Sequence, residues 1–239
     1  MREDICTIPI HEVFEPKDGC PLCRMRDMLE DRMATYITGA AMMEPDVRIE
    51  TNRRGFCENH FRQILMRGSR LSVALILESL LHEMDEEIFE GAKPDPKSAA
   101  KKVVPAIEKR EKSCFICENI EKNMDHLNST VVTMWQKDEE FRQLFAQQPY
   151  ICLPHCRTLL RATGKLSKQD ATALNEVIYT LSRRYLQEVN GDVTHFCRMF
   201  DYRNNGGDWG NSKDSIERSI RYITSRDPQV TAKADEKNR

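Results

Sequence analysis

Apolar residues recur along most of this chain at steps of three and four, the spacing that lines one face of an α-helix. From Leu22, the residues Met25, Leu29, Met33, Tyr36, Ile37 and Ala40 form one such face. Leu77, Leu80, Leu81, Met84 and Ile88 form a second, and Ile120, Met124, Leu127, Val131 and Trp135 a third. A fourth joins Leu174, Val177, Ile178, Leu181 and Tyr185, with Ser167 as its N-cap and Asp170 in its first turn. A last short helix is predicted from about Lys213 to Ile223, capped by Ser212. Two-residue alternation is scarce, and Val47-Arg48-Ile49-Glu50-Thr51 is the single strand it predicts. The pattern implies an all-α fold.

Breaks in the pattern divide the chain. Between Gly91 and Lys112 lie three prolines, many lysines and few large apolar groups, which reads as a linker with a helical turn at Val103 to Ile107. The polar stretch after Arg226 reads as a disordered tail. The expected organisation is a first helical half over 1–90, a linker over 91–112, a second half over 113–225 and a tail over 226–239.

Composition narrows the class. Hydrophobic residues at 40% and charged residues at 31% suit a soluble globular protein. A net charge of −2 gives no field toward nucleic acid or anionic membranes. The basic clusters at Arg53-Arg54 and from Lys101 to Lys112 are interleaved with acids and read as solvated loops. The opening MREDICTIPIHEVFEPKDG has early acids and no apolar core, so no secretory signal is expected. The best apolar stretch, Leu71 to Leu81, is short and interrupted by Glu78, so membrane insertion is not expected. The expectation is a cytoplasmic protein. In that setting nine cysteines, an odd number, argue against a disulfide scaffold and for metal ligation.

The cysteines are duplicated in register. Cys20-Pro-Leu-Cys23 and Cys57-Glu-Asn-His60 in the first half match Cys114-Phe-Ile-Cys117 and Cys152-Leu-Pro-His155 in the second. Corresponding positions are offset by 94, 94, 95 and 95 residues, a repeat with a single insertion. Two cysteines separated by two residues wrap a turn with both sulfurs toward one ion. A Cys and a His three apart at a helix start project from one side of its first turn. Each half thus holds the four donors that tetrahedral zinc prefers, predicting two zinc ions per chain. One ion is assigned to Cys20, Cys23, Cys57 and His60, and one to Cys114, Cys117, Cys152 and His155. With four protein donors each, the sites read as closed and structural, in zinc-finger-like fashion, which argues against an enzyme. An iron–sulfur cluster is the alternative cofactor, although clusters usually take four thiolates.

Other readings stay open beside this one. Cys20-Pro-Leu-Cys23 resembles a glutaredoxin turn, but no preceding strand is predicted. Cys156 reads as a small core residue or a substitute ligand, and Cys6 and Cys197 as buried thiols. His11 and His195 could lie near a site, His82 and His126 carry no assigned role, and Trp135 reads as core. The segment from Phe200 to Trp209 reads as a helix stop with Trp209 tucked onto the bundle, or as a binding surface with Arg203 engaging an anion. The function these features suggest is an interaction or scaffold protein with a protein partner. A zinc–thiolate redox or metal sensor is the second reading, and a metal-dependent enzyme with an incomplete site the third.

The opening Ile-Pro-Ile-His-Glu-Val-Phe, the two CxxC and two CxxH motifs, and the late Phe200-Asp201-Tyr202-Arg203-Asn204 with Trp209 together resemble an uncharacterised bacterial family, a domain of unknown function. The resemblance runs from residue 3 to about 225 and implies no established activity. Some members are machine-labelled as ABC transporter substrate-binding proteins. This sequence departs from that label, because it shows neither an export signal nor the pattern of α/β lobes.

Overall fold

The computed structural model describes residues 7–204 and 206–228, and among them every regular element is helical. In chain order these are α1 (Ile8–Phe14), α2 (Pro21–Thr38), α3 (Pro45–Arg54), α4 (Glu58–Arg67), α5 (Arg70–Ile88), α6 (Pro96–Ser98) and α7 (Val104–Glu111). There follow α8 (Phe115–Lys137), α9 (Glu139–Ala146), α10 (Leu153–Ala162), α11 (Lys168–Met199) and α12 (Ser215–Thr224). The tail beyond residue 228, Cys6 and Asn205 lie outside the described residues.

The helices gather into two compact units that do not coincide with the two sequence repeats. One contains the chain up to Arg26 and again from Met124 onward; the other runs from Asp27 to Asn123. Each boundary falls inside a long helix, α2 in one case and α8 in the other.

In the first unit, Phe14 of α1 meets Phe141 and Phe145 of α9 at ring-centroid distances of 5.1 and 5.6 Å, all three fully buried. The Asp138 carboxylate starts α9 by accepting from the Phe141 N–H at 3.2 Å. The 32-residue α11 begins where expected, with the Ser167 hydroxyl accepting from the Asp170 N–H at 3.1 Å. Its buried face contains Leu174, Ile178, Leu181, Tyr185 and Val189. Against it packs α12, whose Tyr222 hydroxyl lies 2.8 Å from the Ser182 hydroxyl of α11. Trp135 is buried as expected, with the Arg142 guanidinium 5.0 Å from its ring.

In the second unit, α5 starts at Ser69, which caps the Ser72 N–H at 3.1 Å, and buries Val73, Ile76, Leu80 and Ile88. α3 packs along it.

Three local expectations are corrected. Residues 47–51 form no strand but the middle of α3. Pro45 presets the first helical turn, Asp46 favours its dipole, and a five-residue alternation has no partner strand to reward it. Ser212 does not cap α12; its hydroxyl donates to the Trp209 carbonyl at 2.6 Å, and Asp214 occupies the cap position. The stretch 96–111 is helical throughout, passing from α6 through a π turn over Ala99–Val103 into α7. It is clipped to α5 by Glu87, which receives Lys109 Nζ at 2.7 Å and Arg110 Nε at 2.6 Å.

Candidate metal centres

All four cysteine-containing motifs open helices. Cys57 and Cys152 are the N-cap residues of α4 and α10, with extended backbone (φ −74° and −68°). His60 and His155 follow in the first turns, so Cys and His project from one side as the spacing requires. Cys20 and Cys114 precede α2 and α8, whose first turns contain Cys23 and Cys117. The backbone carbonyls of Cys20 and Cys114 accept from Cys23 N–H at 3.1 Å and Glu118 N–H at 3.1 Å. Each motif therefore places its sulfurs at a helix N-terminus, where the dipole favours thiolate.

The eight residues come together in two groups, but not by sequence half. Cys20 and Cys23 join Cys152 and His155 in the first unit; Cys57 and His60 join Cys114 and Cys117 in the second. The CxxC of each repeat meets the CxxH of the other. This corrects the pairing expected from sequence, in which each repeat closed on itself. Equal spacing identifies donors by type, and nothing in it distinguishes two CxxH motifs with the same local geometry.

At the first centre, His155 Nδ1 lies 3.1 Å from Cys152 Sγ, 3.4 Å from Cys23 Sγ and 3.6 Å from Cys20 Sγ, with Cys23 and Cys152 sulfurs 3.6 Å apart. At the second, His60 Nδ1 lies 3.2 Å from Cys57 Sγ, 3.2 Å from Cys114 Sγ and 3.4 Å from Cys117 Sγ, with Cys57 and Cys117 sulfurs 3.8 Å apart. Tetrahedral zinc with its usual bond lengths has S···S edges of about 3.8 Å and S···N edges of about 3.6 Å. The donor sets fit a tetrahedral ion of that size, and each group could hold one.

The protein's own charges leave these donors in conflict. Burial opposes ionisation of Cys20, but contacts with Cys152, Cys23 and His155 hold it well below the usual thiol range. Its neighbours are pushed the other way: Cys23 by Cys152 and Cys20, and Cys152 by Cys20. In the second group Cys114, stabilised first by Cys117, falls to about 3, while Cys117 is driven up by Cys114. Three thiolates cannot share so small a space without a cation, and a divalent ion removes that repulsion.

The outer contacts are ones the spacing did not reveal. Glu30, buried on α2, places Oε1 3.8 Å from His60 Nε2 and receives Gln63 Nε2 on Oε2 at 3.2 Å. Burial lowers the His60 pKa, but Cys114 and Glu30 outweigh it and hold it at about 10. The contact is longer than a hydrogen bond, so the carboxylate acts on the imidazole through its charge, which raises the ring's basicity. The two loops of the second centre are tied directly: Gly55 O accepts from Phe115 N–H at 2.9 Å, and Ser113 Oγ donates to Arg54 O at 2.7 Å. At the first centre, Arg26 donates to Ser225 Oγ at 2.8 Å, and the Ser225 carbonyl lies 3.7 Å from Cys23 Sγ. The one available signal was Arg26 and Glu30, two charged residues spaced by three and seven from Cys23 along a helix.

The remaining candidates fall outside the quartets. Cys156 is buried beside His155 without joining it, and Cys197 is exposed rather than buried, a correction. His11 meets the Phe141 ring edge-on, His195 Nε2 lies 2.9 Å from the Asp208 carbonyl, and His82 pairs with Glu86 on the surface. Trp209 packs edge-on against Phe196 and Phe200. Arg203 is taken by Asp201, its Nε 3.0 and 3.1 Å from the two carboxylate oxygens, so it is not held open for an anion.

Over residues 1–230 the chain matches the model described as "Family of unknown function (DUF6062)". It is also similar to an "Uncharacterized 23.9 kDa protein in xynA 3'region" of Caldicellulosiruptor sp. (strain Rt8B.4), 20% identical over 188 residues, which are 79% of this chain and 85% of that protein. No solved structure matches.

Proposed function

We propose, for a chain that belongs to this family of unknown function, that it is a zinc-stabilised interaction protein of a reducing compartment such as the cytoplasm. The observation that carries the reading is the convergence of four protein donors on each of two points, within 4.8 Å of one another. Three thiolates and one imidazole favour zinc over harder ions, and a full donor set leaves no position for a substrate. In this reading the ions hold helix starts together, and function resides on the surfaces so arranged.

One such surface lies on α10 and α12. Ile216, Ile220 and Ile223 line the outer side of α12 at helical spacing, 45%, 39% and 57% exposed. Ile223 borders a groove of about 710 Å³ with Leu153 and Leu160, flanked by Arg157 and Arg161 one turn apart on α10. No acidic side chain among the described residues is paired with either arginine. An apolar stripe beside two cations is complementary to an amphipathic helix with acidic residues along one flank, supplied by a partner protein.

Elemental analysis of anaerobically purified chain tests the first part. Two zincs per chain are expected, and metal-free folded protein would sink it. For the second, a bound partner's acidic helix, made as a peptide, should bind the native chain and lose binding to Arg157→Glu/Arg161→Glu. Concentration-dependent self-association abolished by Ile220→Glu would assign the groove to a second copy instead.

A further inference from the structure

The two centres share one donor set but not one environment. At the first, Cys20, Cys23, Cys152 and His155 are 3%, 1%, 0% and 8% exposed. At the second, His60 and Cys114 are buried, whereas Cys57 is half-buried and Cys117 is exposed. Attack on a thiolate requires a reagent to reach it, and a zinc-bound thiolate remains a nucleophile. The Cys57 and Cys117 sulfurs lie 3.8 Å apart, so a modified Cys117 has a second thiol within reach.

We propose that the second centre is a site of reversible thiol oxidation by hydrogen peroxide, with Cys117 as the attacking thiolate and Cys57 as the resolving one. This rests on the zinc-binding reading above. Cys117 Sγ attacks one peroxide oxygen; the S–O bond forms, the O–O bond breaks, and the leaving hydroxide takes a proton to become water. Cys57 Sγ then attacks the sulfenic sulfur, forming the disulfide and expelling hydroxide, which is also protonated. Two thiolates lose two electrons, and the peroxide is reduced to water. The ion loses two of its four ligands and departs, which frees the start of α4 from the start of α8. The first centre has the same chemistry closed off by burial and serves as an internal control.

The experiment uses the full chain in a Cys6→Ser/Cys197→Ser background, which leaves only the quartet cysteines and the buried Cys156. Zinc is counted first, so a chain purified without metal overturns the zinc-binding reading and this proposal with it. Hydrogen peroxide is then added beside a chromogenic chelator, and disulfides are mapped by mass spectrometry. One equivalent of zinc should leave at least tenfold faster than the other, with a Cys57–Cys117 disulfide and with Cys20, Cys23 and Cys152 still reduced. A reductant with added zinc should restore the original stoichiometry. Cys117→His keeps four zinc donors and should slow the fast phase to the rate of the other. Release of both ions in one phase, earlier oxidation of the buried trio, or a fast phase that persists in Cys117→His would overturn the proposal. A Cys114–Cys117 disulfide would overturn the assignment of Cys57.

Discussion

Which four residues share an ion can be decided by removing ligands two at a time. Cys23 Sγ lies 3.4 Å from His155 Nδ1, although 132 residues separate them, while His60 belongs to the other group. Cys23→Ser/His155→Ala therefore damages one centre twice, and Cys23→Ser/His60→Ala damages both once. The first variant should retain one zinc per chain and the second none. With free zinc a thousandfold above its dissociation constant, each bound ion stabilises the fold by about 4 kcal/mol. Two lesions in one centre should thus cost about 4 kcal/mol in total, far short of additive, whereas lesions in separate centres should cost about 8 kcal/mol. The larger figure is comparable to the whole stability of an ordinary domain, roughly 5–15 kcal/mol. Elemental analysis and denaturant melts at fixed free zinc read both quantities. The reverse result, no zinc with Cys23/His155 and one with Cys23/His60, would restore pairing within each repeat and refute the exchanged arrangement.

Glu30→Gln should weaken zinc at the second centre by about 10–100-fold while sparing the first, because it replaces the carboxylate 3.8 Å from His60 Nε2; a chelator competition showing equal affinities at both would reject that role. Burial opposes ionisation of Glu87, but Lys109 and Arg110 hold its pKa below the usual carboxylate value. That clip stabilises above the unfolded value of about 4.3 and is lost as pH falls through the folded one. Glu87 is partly exposed, so Glu87→Gln should remove only about 1 kcal/mol at neutral pH and flatten the acid limb of a stability–pH curve; an unchanged limb counts against the clip. Gly55 sits at φ 62°, ψ −159°, a region essentially reserved for glycine, and an added Cβ would meet nothing closer than Leu80 at 3.9 Å. Gly55→Ala should therefore cost about 1–3 kcal/mol through backbone strain alone, read by thermal melting, and a neutral result would contradict the assigned conformation.

Most of the helical architecture was legible because the long helices bury one continuous stripe each. The Leu174-to-Tyr185 stripe and the Ser167 cap read directly onto α11. Short segments were harder. Val47, Ile49 and Thr51 alternate like a strand, yet Pro45 and packing along α5 make them helical. Residues 96–111 looked like a linker because their helix is held by ion pairs to Glu87 rather than by an apolar face. All eight Cys and His residues that converge in the two groups could be named from spacing, since that spacing is a local property of helix starts. Their grouping could not, because it depends on where α2 and α8 carry the chain. Glu30 left only its helical spacing from Cys23 as a signal and Ser225 left none, because each acts on a residue remote in sequence.

The exchanged pairing also bears on how the chain is made. During synthesis Cys20, Cys23, Cys57 and His60 all emerge before any residue of the second repeat, and together they form a complete but non-native donor set. The correct partners of Cys20 and Cys23 arrive some 130 residues later, an interval of about 7–26 s at ordinary elongation rates of roughly 5–20 residues per second. On the zinc-binding reading proposed above, a nascent chain that captures zinc early would do so with the wrong four ligands. It would then have to exchange His60 and Cys57 for His155 and Cys152 to reach the observed groups. On that reading, metal supply during translation becomes a variable of folding yield, with early zinc a trap and late zinc a clasp.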